Sequence, residues 1–275
     1  MISAIEKQQN GNIKLTITIP LQEIAKVKEE VIKELIEHAE LPGFRKGKAP
    51  KKLVEKNFSK EKINEEILRK VLPKGYVEAI KEHKINPVIS PRIQVEKIEE
   101  GKDWQFSAVT CEAPKVDLGN YKEGIKKITA KSKIVIPGKE QTPPSLDEII
   151  SELLKSTSIT IPQVITESET ERLLSQTLDE IKKLGLTLDQ YLASSGKTAE
   201  TLRQEYQLKA ENDIKLEFAL REIAETEKIT VDEKEVDEAI NQAKSNEEKQ
   251  SLQSNKYLLA SILRQQKTLD FLKNL

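Results

Sequence analysis

Between Ile13 and Leu35 the spacing of apolar residues changes once, and that change constrains the fold more than any other feature. Ile13, Leu15, Ile17 and Ile19 alternate with Lys14, Thr16 and Thr18, the period of two with which a strand buries one face. Pro20 ends the run. From there Leu21, Ile24, Val27, Val31 and Leu35 recur at steps of three and four, the stripe of an amphipathic helix, and the helix is predicted to run to about Glu40. Ser59 is placed to cap a second long helix carrying Ile63, Ile67, Val71, Tyr76 and Ile80. Pro73 lies inside that helix and predicts a kink or a break. Strand-like segments return at Val88–Ile89, Ile93–Ile98 and Trp104–Thr110. This order predicts an α+β domain, a small sheet with helices packed on one face.

The two predicted helices are joined by Leu41, Pro42, Gly43, Phe44, Arg45, Lys46, Gly47, Lys48, Ala49 and Pro50, with Lys51, Lys52 and Lys56 following. One aromatic stands among many cations. Gly43 and Gly47 free the backbone to turn, and Pro50 suits the first position of a following helix. A solvated basic connector is the bland reading. A phosphate-binding loop fails on three counts: the glycine spacing is one residue short, Ala49 stands where Ser or Thr would hold magnesium, and a helix precedes it instead of a strand. The run Gly-Phe-Arg-Lys-Gly-Lys-x-Pro, in its helix–loop–helix setting, resembles the ribosome-binding loop of the trigger factor family, bacterial chaperones that meet nascent chains at the exit tunnel. The order of elements over residues 1–115, including Ile85, Asn86 and Pro87 after the second helix, is similar to that family's N-terminal domain. The resemblance implies that Phe44, Arg45 and Lys46 contact a protein of the large ribosomal subunit. Gly43, Gly47, Lys48 and Pro50 would support the loop, and Lys48, Lys51 and Lys52 would add salt-dependent attraction to nearby ribosomal RNA. The side chains suit such a contact: phenylalanine offers apolar area, arginine a planar fork for carboxylate or phosphate.

Composition bounds the rest. A formal charge of −1 excludes a globally basic nucleic-acid binder. The single cysteine, Cys111, forms no intrachain disulfide, which suits a reducing compartment. The N-terminus lacks the apolar core of a signal peptide, and no apolar run reaches membrane-spanning length. The expected location is cytoplasmic, with no membrane partner.

Residues 111–127 resemble the strand and linker that leave the family's first domain, where trigger factors usually insert a prolyl-isomerase domain. Such a fold needs on the order of 100 residues. Here only Ile128 to Pro144 stand before the next helix signal, with Pro137, Gly138, Pro143 and Pro144 and not one aromatic. An isomerase pocket of that type is lined by aromatics. The isomerase domain is therefore expected to be absent, residues 116–144 are read as a linker in its place, and no enzyme activity is expected.

Capping signals punctuate the remainder: Ser145 with Glu148, Thr187 with Gln190, Thr230 with Glu233. Pro162 suits a first helical turn, Gly185 and Gly196 suit helix ends. Between them run Leu174, Leu178 and Ile181, then Leu202, Tyr206, Ala210, Ile214 and Phe218. A last helix is expected to carry Leu252, Leu258, Leu259, Ile262, Leu263 and Leu269. Residues 145–275 are similar in pattern to the family's chaperone domain. The expected architecture is thus an α+β N-terminal ribosome-binding domain joined to an all-α C-terminal chaperone domain with helical arms. Apolar faces rimmed by Lys and Glu would hold unfolded or nascent polypeptides without selecting a sequence; which residues would do so is left open.

No catalytic constellation and no metal or cofactor site is found. His38 and His83 lie at helix ends without metal-ligand spacing, and Cys111 has no histidine partner and is expected to pack at a strand end. The expected function is that of an ATP-independent holding chaperone docked at the tunnel exit. A ribosome-free chaperone, as a homodimer, is a milder variant. An adaptor or assembly protein binding folded partners is the alternative.

Overall fold

A computed structural model of the chain describes residues 1–38, 50, 53, 58–132, 145–243 and 245–275. They divide into two compact units, one of Met1–Ala113 with Pro162–Ile165, the other of Pro114–Ile161 with Thr166–Leu275.

The first unit is built on an antiparallel sheet of β1 (Ile2–Lys7), β2 (Ile13–Ile19), β3 (Arg92–Lys97) and β4 (Trp104–Thr110), in the order β1-β2-β4-β3. The alternation from Ile13 to Ile19 does what its period predicts: those four apolar residues are buried, and the register sets Leu15 opposite Ala108 and Ile17 opposite Phe106. Helices α1 (Leu21–His38) and α2 (Lys60–His83) lay Ile24, Val27, Val31, Ile63, Ile67, Val71 and Ala79 onto that face. Each buried valine or isoleucine among them stabilises the core by roughly 1.5–3 kcal/mol. Ser59 caps α2 as expected, its Oγ accepting from the Lys62 N–H at 3.2 Å. Leu21, the first residue of the apolar stripe, is exposed at the helix start.

Two expectations for this unit change, and one strand is added. Of the kink or break expected at Pro73, the break is absent: helix α2 runs through it, with Val71 on one side and Tyr76 on the other held in the core. Val88–Ile89 form no strand: Pro87 and Pro91 bracket them, and pairing is limited to a Pro87–Glu112 bridge and the Val88 N–H donating to the Cys111 carbonyl at 3.1 Å. Strand β1 was not assigned from sequence as an element of its own; Ile2 and Ile5 are out of phase with a strict alternation, as an edge strand tolerates.

Residues 162–165 complete this unit. The Asn12 side-chain oxygen accepts from the Val164 N–H at 2.9 Å and the Asn10 carbonyl from the Gln163 N–H at 3.2 Å. The β1–β2 turn thus satisfies donors that the start of a helix leaves open.

The second unit comprises β5 (Val116–Asp117), α3 (Tyr121–Ser132), α4 (Leu146–Ser156), β6 (Ser158–Ile159), most of α5 (Gln163–Lys183), α6 (Leu188–Ser195), α7 (Ala199–Thr226), α8 (Glu233–Asn241), α9 (Asn246–Ser254) and α10 (Lys256–Lys273). Its core joins Tyr121 and Ile125 of α3, Ile149 and Leu153 of α4, Leu220 and Ile223 of α7, and Leu272 of α10. Part of the stretch read as linker is therefore ordered secondary structure. Nor is the unit all-α, since β5 and β6 pair antiparallel through Val116 and Ile159. Thr187 and Gln190 form the expected capping box. Ser145 caps α4 through the Asp147 N–H. The expected start at Thr230 moves to Asp232, which forms a box with Glu235, because the Ile229 and Thr230 carbonyls accept from Arg264 and Lys267 and stay outside the helix. The expected last helix is divided at Asn255, so Leu252 belongs to α9. Ten helices and a small antiparallel sheet dominate the described residues.

Candidate functional site

Helices α1 and α2 flank the basic run in sequence. They are tied side by side by ion pairs, Glu23 to Lys74 at 2.7 Å and Glu34 to Lys70. The Lys74 hydrogen bond holds the Glu23 carboxyl below the usual carboxylate range, and the same bond raises the Lys74 ammonium. Gly43, Phe44, Arg45, Lys46, Gly47 and Lys48 lie outside the described residues, as do Lys51, Lys52 and Lys56. Pro50 is exposed, and its carbonyl accepts from the Leu53 N–H at 2.9 Å. Where the chain enters α2, Phe58 packs against the core, with the Lys62 ammonium 5.0 Å from its ring centre.

The other candidate surface is apolar and belongs to the second unit. Between α5 and α6 the chain turns through Gly185, in the left-handed region at φ +73°. The Leu186 N–H donates to the Ile181 carbonyl at 3.1 Å, and the Gly185 N–H to Lys182 at 3.0 Å. This closed turn, followed by the Thr187 capping box, presents Leu184, Leu186 and Leu188 to solvent, Leu184 at 75% exposure. Leu208 on α7 is 62% exposed. On α10, Tyr257 is 91% exposed beside exposed Leu258 and Ile262. A groove of about 480 Å³ adjoins that face, lined by Leu220, Ala224, Val231, Tyr257, Leu258 and Arg264. Of the stripes read from sequence, Ile181, Leu202, Ala210 and Ile214 are buried, whereas Leu178, Leu258 and Ile262 are exposed. Leu184, Leu186, Leu188, Leu208 and Tyr257 were not singled out from sequence. The signal for the first three was there: apolar residues at every second position across a glycine turn, where polar ones are the rule.

The groups screened for chemistry are brought to no common site. Cys111 is buried directly after β4, and burial pushes its thiol up to about 11, which leaves it unreactive. The His83 ring contacts the Ser3 hydroxyl at 2.9 Å, and Ser3 donates to Glu82. His38 is exposed in the last turn of α1. Among the described residues no cluster of three or more His, Cys, Asp or Glu is set to hold a metal ion, and no helix is long and apolar enough to cross a membrane.

Comparison with known proteins agrees over both units. The family model described as bacterial trigger factor protein matches residues 1–149, and that of the bacterial trigger factor C-terminus matches residues 140–274, so the two meet without a gap. The trigger factor of Staphylococcus epidermidis is 38% identical over 122 residues, 44% of this chain and 28% of that protein. That of Natranaerobius thermophilus is 36% identical over 122 residues, 44% of this chain and 27% of that protein. The match thus spans little more than a quarter of these relatives' length. In fold, the chain is similar to a solved structure described as "Promiscuous Substrate Recognition in Folding and Assembly Activities of the Trigger Factor Chaperone", with a TM-score of 0.67 at 14% identity over 100% of this chain and 99% of that one. With a family model covering more than half its length, the chain belongs to the bacterial trigger factor family.

Proposed function

We propose that the chain is an ATP-independent holding chaperone that docks at the ribosomal tunnel exit and shields nascent polypeptides. The observation that carries the holding activity is the set of apolar side chains left in solvent: Leu184, Leu186 and Leu188 on one turn, and Tyr257, Leu258 and Ile262 on α10. Apolar residues presented on a closed turn and on one helix can grip unfolded chains weakly and at several points without reading a sequence. Residues 1–115 would dock, through Phe44, Arg45 and Lys46 against a protein of the large subunit, with Lys48, Lys51 and Lys52 near ribosomal RNA. Residues 145–275 would hold the client. The function is proposed without prolyl isomerisation, in keeping with two matched family models that adjoin one another and with Ile128 to Pro144, which offer no aromatic for such a pocket. Work in the cytosol is consistent with a lone buried thiol.

Co-sedimentation with bacterial ribosomes tests the docking. The wild-type chain should pellet with ribosomes at low salt, and a Phe44→Ala, Arg45→Ala, Lys46→Ala variant should stay in the supernatant. Equal behaviour of the two would remove the loop from the account. The second reading, an adaptor that assembles folded partners, draws support from the "assembly activities" named for the solved relative. Suppressed aggregation of several unrelated unfolded proteins would favour holding. A single stoichiometric partner would favour the adaptor.

A further inference from the structure

We propose that Asn10 is a site of spontaneous covalent modification, deamidation through an imide formed with Gly11, and that residues 162–164 hold it in check. Asn10 is the only asparagine in the chain followed by glycine. A glycine amide nitrogen carries no neighbouring side chain to obstruct its approach, so this pair is the one best able to cyclise. In the reaction the Gly11 amide nitrogen gives up its proton and attacks Cγ of Asn10. The new C–N bond closes a five-membered imide, and the side-chain nitrogen leaves as ammonia. Water then opens the ring: attack at Cγ gives aspartate, and attack at the main-chain carbonyl gives isoaspartate. Nothing but water is consumed.

Within the first unit the attacking nitrogen and the side-chain amide of this pair are both engaged. The Gly11 N–H donates to the Gln8 carbonyl at 3.1 Å. The Asn10 side chain donates through Nδ2 to Gln163 Oε1 at 2.9 Å and accepts from the Asn12 N–H at 3.1 Å. Its own carbonyl accepts from the Gln163 N–H at 3.2 Å. Gly11 sits at φ +79°, with Pro162 so close that an added Cβ would lie 3.2 Å from its ring. The side-chain carbonyl is thereby turned toward residue 12, and the attacking nitrogen is engaged elsewhere. Cyclisation has to wait for the turn to open, so its rate reports local opening. The isoaspartate product lengthens the main chain by one atom at the point where the turn meets the start of α5, and weakens the Asn12 bond to Val164.

The test incubates the full chain at mildly alkaline pH, folded and in urea, and maps the tryptic peptide Gln8–Lys14 by mass spectrometry. Aspartate and isoaspartate should accumulate at residue 10 well ahead of Asn12 in the same peptide. Conversion should be several-fold slower in the folded chain than in urea. Gln163→Ala should accelerate the folded reaction several-fold without changing the reaction in urea. Because Gly11→Ala strains the turn, that variant is read only in urea, where it should suppress conversion at residue 10. Equal rates at Asn10 and Asn12 in urea would overturn the site. Equal rates for the folded wild type and Gln163→Ala would overturn the restraint.

Discussion

Asn12 shows how much one side chain can hold in a structure of this kind. It is 8% exposed, and its oxygen meets the Val164 N–H. Asn12→Ala would leave that buried donor unmet, at a cost of about 1–3 kcal/mol. Urea unfolding should register the loss in the wild-type context, and Asn12→Asp, which keeps the acceptor, should lose less. Cys111 gives a second expectation. Its thiol is pushed up to about 11 by burial, so in the folded chain it should ignore thiol reagents at mildly alkaline pH, and should react fully in urea. The sign of the linkage follows from the same shift. The unfolded chain ionises the thiol first, so this group's contribution is intact below the ordinary thiol range and is lost as pH rises toward 11. The place of Cys111 at the end of a strand was legible in its local sequence. The partner of Asn12 was not, because it lies 152 residues away and no periodicity encodes a pair of that kind.

Among elements, those with a strong internal period could be read and those defined by tertiary contacts could not. The stripe of β2, the first two long helices and the Thr187 box follow from local spacing. Helix α8 offered two overlapping box signals, Thr230 with Glu233 and Asp232 with Glu235. Arg264 and Lys267, arriving from α10, decide between them by taking the carbonyls of residues 229 and 230. Helix α2 shows the same dependence at Gly75, where an added Cβ would stand 3.0 Å from Met1 Sδ and 3.2 Å from Phe106. Gly75→Ala should gain about 1 kcal/mol in helix propensity and lose about 1–3 kcal/mol to overpacking. The expected outcome is a lower thermal midpoint, contrary to what an exposed helix would give. The start of α3 is fixed to the end of α7 through Glu227, which accepts from the Tyr121 hydroxyl at 3.1 Å and pairs with Lys122 at 2.6 Å. The Lys122 hydrogen bond comes first in holding the Glu227 carboxyl below its usual range. That contribution is present above the ordinary carboxylate range and lost as pH falls through the depressed value. Glu227→Gln should therefore flatten the acid limb of a stability–pH profile.

For the whole molecule the decisive quantity is the apolar surface that folding leaves uncovered. Charged residues make up 33% of the chain and balance to −1, so solubility does not rest on a large net charge, and exposed leucines carry a cost in self-association. Under the proposed function, Leu184, Leu186 and Leu188 are the surface that meets the client. Leu184→Ser, Leu186→Ser and Leu188→Ser together remove apolar area without opening a cavity, since all three are exposed. Substitutions away from buried features usually change stability by within about 0.5 kcal/mol each. The triple variant should thus unfold near the wild-type midpoint while losing most of its ability to keep a denatured client from aggregating. Salt separates this activity from docking. Screening would weaken the contacts proposed for Arg45, Lys46 and Lys48, because the Debye length falls to about 3 Å at 1 M, whereas apolar contact survives. Wild-type aggregation suppression should persist in high salt as ribosome co-sedimentation fades. If the triple variant suppresses aggregation as well as the wild type, the clients are held elsewhere, and the α10 face of Tyr257, Leu258 and Ile262 becomes the surface to substitute next.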